Sequence, residues 1–456
     1  MSGDYFPRKR RLSRRKFLGI TKNAAIGGIA AAGVLGAIAG YFGGSAVVPV
    51  RTETITETVT KTAGAQTVTK TITATQTASK KGEKLKVGYV YVGPVGDYGW
   101  TYSHDRGRRW ADEKFGAGAE SFYIESVPEA EVGSAIENLL AKGSKLIITT
   151  SFGYMDKTAE YAEKYPDVYF VHISGYRSGA AGNAPENMSA AFIEYYQPSF
   201  LEGLAAGAVT ETGVIGYVGA FPIPEVARGI NSFVLGANYA YKKRTGKNVE
   251  AHVEWIFEWV APDKARSAAI ALVEEKNCDV LMSAEDTPTV LQVAEEYQKK
   301  GKKVWSFGHS SDMRPYGPTA HLLGSITNWG PIYLDFYRMA STGSWISMDI
   351  WARIGDYLPY RWRKPVEKSR IDEPEGAIYF TPLNPVIPDE WQLEIKKRYE
   401  EMKELLFEPF SIEGNLDEPI KDQNGEIRIK EGERADHDML WNMDWLVEYV
   451  EEPLPK

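Results

Sequence analysis

The chain has few of the residues on which most enzyme and metal sites depend. It contains one cysteine and six scattered histidines in 456 residues. It has no G-x-S-x-G, H-E-x-x-H, G-x-G-x-x-G or P-loop motif and no cysteine pair. A lone thiol cannot form an intrachain disulfide, and Cys278 precedes an apolar run, so we expect it to be buried at a strand. We expect no catalytic residue, no metal site and no cofactor.

The folded part of the chain lacks positive charge. Residues 1–84 hold 14 basic and 4 acidic residues, so residues 85–456 retain 39 basic and 57 acidic residues, a net charge of −18. Binding to nucleic-acid polymers requires a basic face. Such polymers are therefore disfavoured as partners.

The N-terminal residues 1–50 are typical of an export signal. Two arginines in the segment SRRKFLG, Arg14 and Arg15, precede residues 23–50, which carry no charge. Paired arginines before an apolar run indicate the twin-arginine route, which places the protein outside the cell or on the outer face of its membrane. The uncharged run is long enough to span a bilayer, so either cleavage or retention as a membrane anchor follows.

Residues 51–84 are dominated by threonine and bury too little apolar surface to offset the entropy of ordering. We predict a disordered stalk, although the β-branched alternation would also permit a stray strand.

From residue 85 onward, short apolar runs alternate with amphipathic helical patterns, which predicts an α/β fold with parallel sheets. The length requires two lobes rather than one core. We assign residues 85–210 to the first lobe, 211–327 to the second, and 328–456 to a hinge crossing and a C-terminal segment. The predicted strands are 86–92, 121–126, 145–150, 168–174, 214–219, 250–257, 279–283, 303–307 and 321–327, and the predicted helices between them include 129–142, 224–243, 262–276 and 287–300.

Aromatic and acidic residues follow several of these strands, beginning with the turn GPVGDYGW after the first. Ligands of open α/β folds bind at the carboxyl ends of the strands. We therefore expect Asp97, Tyr98 and Trp100 to face a cleft, where rings stack on a flat ligand and carboxylates accept hydrogen bonds. Asp286 has a rival role as a helix N-cap before Thr287, whereas Asp97 shows no such rival.

Six separated segments resemble, in order, the basic membrane protein family of ABC transporter substrate-binding proteins, in its nucleoside-binding group. They are GYVYVGPVGDYGWTYSHDRG, TTSFGYMD, GVIGYVGAFPIPEVARGINSFVLGA, VEWIFEWVAPDKA, SAEDTP and SITNWGPIY. The resemblance implies two Rossmann-like lobes joined by a three-stranded hinge, the type I periplasmic-binding-protein fold. It also implies closure on a nucleoside or nucleobase, with purines favoured, and delivery to an ABC transporter permease.

Carried over residue by residue, the resemblance implies a ligand-binding set drawn from both lobes. The set is Asp97, Tyr98, Trp100, Phe152, Gly153, Tyr196, Gln197, Phe221, Trp255, Asp286, Asn328 and Trp329. The chain departs from the family in lacking a lipobox cysteine and in having a longer loop at residues 175–187.

Two other functions stay open. One is an exported hydrolase that uses an Asp/Glu pair on a nucleoside or glycan. The other is the same binding fold tuned to a sugar or another small molecule, or acting as a chemosensory receptor.

Overall fold

The computed structural model describes residues 55–57, 70–72, 83–358 and 370–456. The predicted signal or anchor, residues 1–50, lies outside this part of the chain. Within the threonine-rich tract, Ile55–Glu57 (β1) pairs antiparallel with Lys70–Ile72 (β2). These six residues form strands, which the sequence analysis gave as the alternative to a disordered stalk. The rest of the predicted stalk, apart from its last two residues, lies outside the described residues. Over the ranges given above, no helix is long and apolar enough to cross a membrane.

The other described elements belong to one unit that begins at residue 74. Its strands are β3 (Leu85–Val90), β4 (Ala119–Ile124), β5 (Leu146–Thr149), β6 (Tyr169–Ile173), β7 (Met188–Ile193), β8 (Val214–Gly219), β9 (Glu250–Trp255), β10 (Val280–Ser283), β11 (Ser306–Gly308), β12 (His321–Thr327), β13 (Asp349–Ala352), β14 (Ile378–Phe380), β15 (Ile420–Lys421) and β16 (Ile427–Ile429). Its α-helices are α1 (Trp100–Phe115), α2 (Val132–Ala141), α3 (Met155–Lys164), α4 (Tyr196–Val209), α5 (Pro224–Thr245), α6 (Pro262–Glu274), α7 (Thr289–Lys299), α8 (Gly330–Thr342), α9 (Asp389–Lys403) and α10 (His437–Trp441).

The strands form two main sheets. The first has six parallel strands in the order β13-β7-β6-β5-β3-β4. The second sheet consists of two three-stranded parts, β10-β8-β9 and β11-β12-β14, and a parallel bridge between Val280 and Trp305 joins them. Among its strands only β14 runs antiparallel. Helices cover the sheets, which explains why β5, β7 and β12 are buried along their whole length. Cys278 is buried two residues before the start of β10.

The segment after β12 returns to the first sheet. Helix α8 packs against α1, and β13 then pairs with β7 at the edge of the first sheet. The chain goes back to the second sheet at β14, and β15 and β16 form a hairpin around Asn424 and Gly425. Both strands β7 and β13 were absent from the sequence prediction. The chain thus passes between the sheets after β7, after β12 and after β13.

Helices α4 and α5 pack closely against each other. A Cβ at Gly203 would lie 2.2 Å from the carbonyl oxygen of Phe233, and one at Gly207 would lie 2.1 Å from that of Ala237. Only glycine allows two backbones this close. Gly203 and Gly207 therefore allow the close approach of α4 and α5.

Candidate functional site

A pocket of about 580 Å³ lies where the carboxyl ends of the two sheets face each other. That space includes open solvent, and the part of it that the centre of a water-sized sphere can occupy is about 40 Å³. Some lining residues belong to β8 and α5. The others lie just after the end of a strand, or in the first part of the helix or loop that follows a strand. They are Val92, Trp100, Ser151, Phe152, Ser174, Tyr195, Ser199, Tyr217, Glu225, Val226, Gly229, Trp259, Ala284, Asp286 and His309.

Trp100 forms the wall contributed by the first sheet. Its indole Nε1 donates to the carbonyl oxygen of Thr150, 2.6 Å away, which fixes the ring at the ends of β3 and β5. Behind it, the rings of His104 and Trp329 lie 4.3 and 5.7 Å from the Trp100 ring. The Tyr195 ring lies 6.2 Å to its side. Trp100 is therefore held rigidly, as a stacking platform requires.

The second sheet supplies rings on the opposite side. Trp259 lies in the loop after β9, with its ring 5.0 Å from that of Phe221. His309 follows β11 with its ring 4.7 Å from Tyr195, and the Tyr195 hydroxyl lies 2.9 Å from Ser310 Oγ. Together with Tyr217, these rings give the pocket aromatic surface from both halves of the fold.

The two candidate aspartates play different parts from each other. The carboxylate of Asp97 accepts from the backbone N–H groups of Gly99, Thr101 and Tyr102 at 2.9 to 3.0 Å, and so caps the start of α1. The prediction that Asp97 has no capping role was wrong. Asp286 does not cap α7, which follows Pro288 without a side-chain cap. Asp286 is one of the residues that line the pocket.

The two halves touch at the rim of the pocket. A Cβ on Gly99 would lie 2.1 Å from the carbonyl oxygen of Asp286, so only glycine fits at this contact. The hydroxyl of Ser311 also donates to the carbonyl oxygen of Tyr98. The structure is consequently a closed arrangement of the two strand-end surfaces.

Acidic groups dominate the electrostatics of the pocket. Burial, and then the charges of Asp97 and Glu285, hold the pKa of Asp286 well above its usual range. Burial raises the pKa of Glu225 to about 7 against the opposing charge of Arg228, and raises that of Glu285 to about 7. These carboxyls can carry a proton near neutral pH and so can donate as well as accept hydrogen bonds.

His309 adds a neutral polar group. Burial lowers its pKa to about 4. Its Nδ1 is buried and has no hydrogen-bond partner within residues 83–358 and 370–456. An imidazole without a partner at the pocket wall offers one donor or acceptor to a guest.

Several predicted site residues lie outside the pocket near its first-sheet side. Tyr98 is 40% exposed, and its ring contacts Tyr102 and Tyr316. The backbone amide of Gly153 donates to the carboxylate of Glu129, so Gly153 holds a turn in place. Trp329 is fully buried behind Trp100 and contributes no pocket surface.

The remaining predicted residues hold other segments in place. The Tyr196 hydroxyl donates to Glu408, and the Gln197 side chain accepts from the amide of Ile354. Asn328 donates to the carbonyl oxygen of Gly376. The Trp255 ring packs over Gly219 of the adjacent strand, and Phe221 contacts the pocket residue Trp259. The pocket thus brings together Trp100, Phe152 and Asp286 from the predicted set.

The sequence prediction missed most of the other lining residues. Tyr195 is adjacent to the predicted Tyr196, and Trp259 is four residues after the predicted Trp255. Glu225 lies in the same segment, AFPIPEV, that led to Phe221. The expectation that ligands bind at the carboxyl ends of strands was therefore a usable signal for these positions. It did not determine which of several neighbouring residues faces the pocket. No group of three His, Cys, Asp or Glu side chains suited to a metal ion occurs in the described ranges.

Comparison with known proteins gives a family from sequence and a fold from structure. The family model Bmp, described as ABC transporter substrate-binding protein PnrA-like, matches residues 84–353. A purine-binding protein of Brucella abortus is 34% identical over 379 residues, covering 82% of this chain and 95% of that protein. A Haloferax volcanii protein named as a proposed glucose-binding protein of an ABC transporter is 34% identical over 64% of this chain and 71% of its own length.

Among solved structures, an ABC transporter solute-binding protein from Aeropyrum pernix K1 aligns with a TM-score of 0.57 at 16% identity. The alignment covers 78% of this chain and 95% of that protein. A solute-binding protein from Conexibacter woesei gives 0.52 at 17% identity, over 71% of this chain and 97% of the other. These structures support the α/β fold with two parallel sheets.

Proposed function

Because the chain belongs to the Bmp family of ABC transporter substrate-binding proteins, we propose that it captures a purine nucleoside or free purine base outside the cell and presents it to a permease. The observation that carries the proposal is the pocket between the two sheets, lined by rings from both halves and by Glu225 and Asp286. The similarity to the Brucella abortus purine-binding protein supports the choice of purines.

Each class of lining group has a role with such a ligand. Trp100 and Trp259 offer faces on which a flat heterocycle stacks, at roughly 1–3 kcal/mol per ring. Asp286 and Glu225 exchange hydrogen bonds with ring nitrogens, exocyclic groups or ribose hydroxyls, as donor or acceptor according to their protonation. The neutral His309 supplies a further polar contact.

We propose that binding closes two lobes, residues 85–210 and 211–327, with residues 328–456 completing both. The contacts of Gly99 with Asp286 and of Ser311 with Tyr98 exist only when the strand-end surfaces meet. A ligand that touches both surfaces binds the closed form more tightly and shifts the population toward it. The permease would then distinguish the loaded from the empty protein.

The experiment that tests the ligand is a thermal-shift screen with purines, pyrimidines, their nucleosides and common sugars. A ligand that binds only the native state raises the melting temperature by mass action. We expect the largest rise with a purine or its nucleoside. A rise with sugars alone would contradict the assignment and favour the second candidate, a sugar-binding protein. That candidate draws support from the Haloferax volcanii relative and from the combination of rings and carboxyls, which also suits sugars.

We further propose that the protein binds its ligand without reacting with it. Two acids share the pocket, so a hydrolase acting on the glycosidic bond is the alternative to be tested. Prolonged incubation with a nucleoside, followed by mass spectrometry, should return the nucleoside intact. Release of free base in proportion to protein concentration would favour the hydrolase.

Export through the twin-arginine route, with residues 1–50 as signal or retained anchor, is also proposed. It draws support from the SRRKFLG segment and from the roles of substrate-binding proteins outside the cytoplasm. N-terminal sequencing of the exported protein would distinguish a cleaved signal from a retained anchor.

A further inference from the structure

Tyr98 is a predicted ligand residue that the pocket does not use. Its side chain is 40% exposed and is not among the residues that line the pocket. Its backbone has a φ of 66°, in the left-handed region that few residues other than glycine adopt. Such a conformation persists only where the surrounding contacts fix it. Tyr98 is therefore held in a defined, solvent-exposed position beside the pocket.

The ring of Tyr98 makes contact across the gap between the two halves of the fold. Tyr316 ends the one-turn helix Arg314–Tyr316 that follows β11, and its ring lies 4.9 Å from the Tyr98 ring at an angle of 63°. Edge-to-face geometry of this kind places the edge of one ring against the other. Tyr102, in the first turn of α1, lies 5.3 Å from Tyr98 on the other side. Tyr98 thus has one tyrosine neighbour in its own half and one in the opposite half.

Backbone contacts keep the two sides of this tyrosine pair together. The carbonyl oxygen of Tyr98 accepts from the hydroxyl of Ser311, in the loop that leads to Tyr316. The next residue, Gly99, meets the carbonyl oxygen of Asp286 so closely that only glycine fits. The phenol rings of Tyr98 and Tyr316 consequently stay neighbours as long as the two halves are closed.

The two phenols are open to oxidation from solvent. Tyr98 is exposed and Tyr316 is only partly buried. Burial, and after it the neighbouring hydroxyl of Tyr98, raise the pKa of Tyr316, so this phenol keeps its proton at neutral pH. Removal of one electron from a protonated phenol releases the proton as well and leaves a phenoxyl radical. The unpaired electron of that radical is shared with the ring carbons ortho to the oxygen, where two radicals in contact can join.

We propose that Tyr98 and Tyr316 form an oxidative cross-linking site, at which hydrogen peroxide, acting through a haem peroxidase, couples the two side chains as dityrosine. Each phenol loses one electron and one proton, and an ortho carbon of each ring enters the new C–C bond. The hydrogens left on those two carbons then move to the oxygens and restore both phenols. The peroxide gains the two electrons and two protons and becomes two water molecules.

The link joins the turn before α1 to the loop after β11 and so holds the two halves closed. With one cysteine, the chain cannot make such a connection as a disulfide. The other exposed tyrosines among the described residues do not offer it either. The ring of Tyr123 stacks on Tyr91 within the first sheet, and that of Tyr176 contacts a tryptophan, Trp441.

The test treats the full chain, at low concentration, with hydrogen peroxide and a haem peroxidase, and maps the monomer by digestion and tandem mass spectrometry. We expect a cross-linked species that joins the peptides of Tyr98 and Tyr316 and is two hydrogen atoms lighter than their sum. Tyr316→Phe keeps the ring but removes the phenol oxygen, and should abolish this species. The matched control Tyr102→Phe should retain it. Absence of the species, its survival in Tyr316→Phe, or coupling of Tyr98 to Tyr102 alone would overturn the inference.

A second measurement tests the effect of the link on ligand exchange, and this part rests on the proposed function. Protein loaded with adenosine and then oxidised should keep most of its adenosine after dilution, whereas Tyr316→Phe treated in the same way should lose it. Equal release from the two proteins would contradict a lock on the closed form. If adenosine does not bind the untreated protein although the cross-link forms, the proposed function fails and the cross-linking site stands.

Discussion

Replacing Trp259 by alanine isolates the contribution of one ring to ligand binding. The ring lines the pocket and touches Phe221, and it is only partly buried. The backbone hydrogen bond of this loop, from the amide of Asp286 to the carbonyl oxygen of Trp259 at 2.9 Å, does not depend on the side chain. Trp259→Ala therefore removes the stacking face and leaves the pocket's loop connection in place.

The expected size of the effect follows from the stacking energy. One ring stacked on a base contributes roughly 1–3 kcal/mol, which corresponds to a dissociation constant about 5 to 150 times higher. Because the indole is partly exposed, the loss of folding stability should stay below the roughly 3–5 kcal/mol that a fully buried tryptophan costs.

The assay is calorimetric titration with the purine that the thermal-shift screen identifies. The matched control is Trp345→Ala. Trp345 is also partly buried, and its ring lies 4.5 Å from that of Tyr169, away from the pocket lining. The control should lose some stability but keep the parent affinity. A dissociation constant for Trp259→Ala within twofold of the parent, in folded protein, would refute the stacking role.

Three further outcomes are expected. Gly203→Ala should destabilise the protein by about 1–3 kcal/mol in urea titrations, because its Cβ would overlap a facing carbonyl oxygen. The control Gly96→Ala, whose Cβ would meet no atom within 4 Å, should cost less stability, and equal losses in the two variants would contradict the packing argument. Burial raises the pKa of Glu202 to about 8, so the contribution of this group to the free energy of unfolding is full below the ordinary glutamate pKa and is lost as the pH rises through 8. Thermal melts should show Glu202→Gln gaining stability relative to the parent between pH 5 and 9, and a difference in stability that stays constant with pH would contradict this expectation. Replacing both Arg14 and Arg15 by lysine should block export, as measured by fractionation and immunoblotting, and undiminished export would exclude the twin-arginine route.

The α/β architecture was predictable because its signal is local and repeated. Strands such as β8 and β12 are short, apolar and flanked by helical patterns, and their observed bounds equal the predicted ones. Strand β7, by contrast, has the sequence MSAAFI, whose small side chains give little β-propensity. Strand β13 is four residues long and is stabilised by pairing with β7. Partners far apart in sequence decide such strands, so local patterns do not reveal them.

The pocket was predictable in location but less so in its members. Strand ends pointed to the correct edge of each sheet, and Trp100, Phe152 and Asp286 were found there. Choosing between Tyr195 and Tyr196 was beyond local reasoning. Successive residues of a helix point about 100° apart, so the exact start of α4 decides which ring enters the pocket.

The role of Asp97 shows a second limit. Its carboxyl and the α1 amides it caps are separated by two to five residues, a spacing that fits either a cap or an exposed ligand contact. The geometry of the turn, including the positive φ of 66° at Tyr98, selects the cap. Sequence spacing alone carries no information about that choice.

A crystal structure of the protein grown with a purine nucleoside tests the central claim most directly. The account predicts intact nucleoside in the pocket, with its base against the faces of Trp100 or Trp259 and within hydrogen-bond reach of Asp286 or Glu225. Nucleoside bound elsewhere, or a pocket filled by its own side chains with no space for the base, would contradict it.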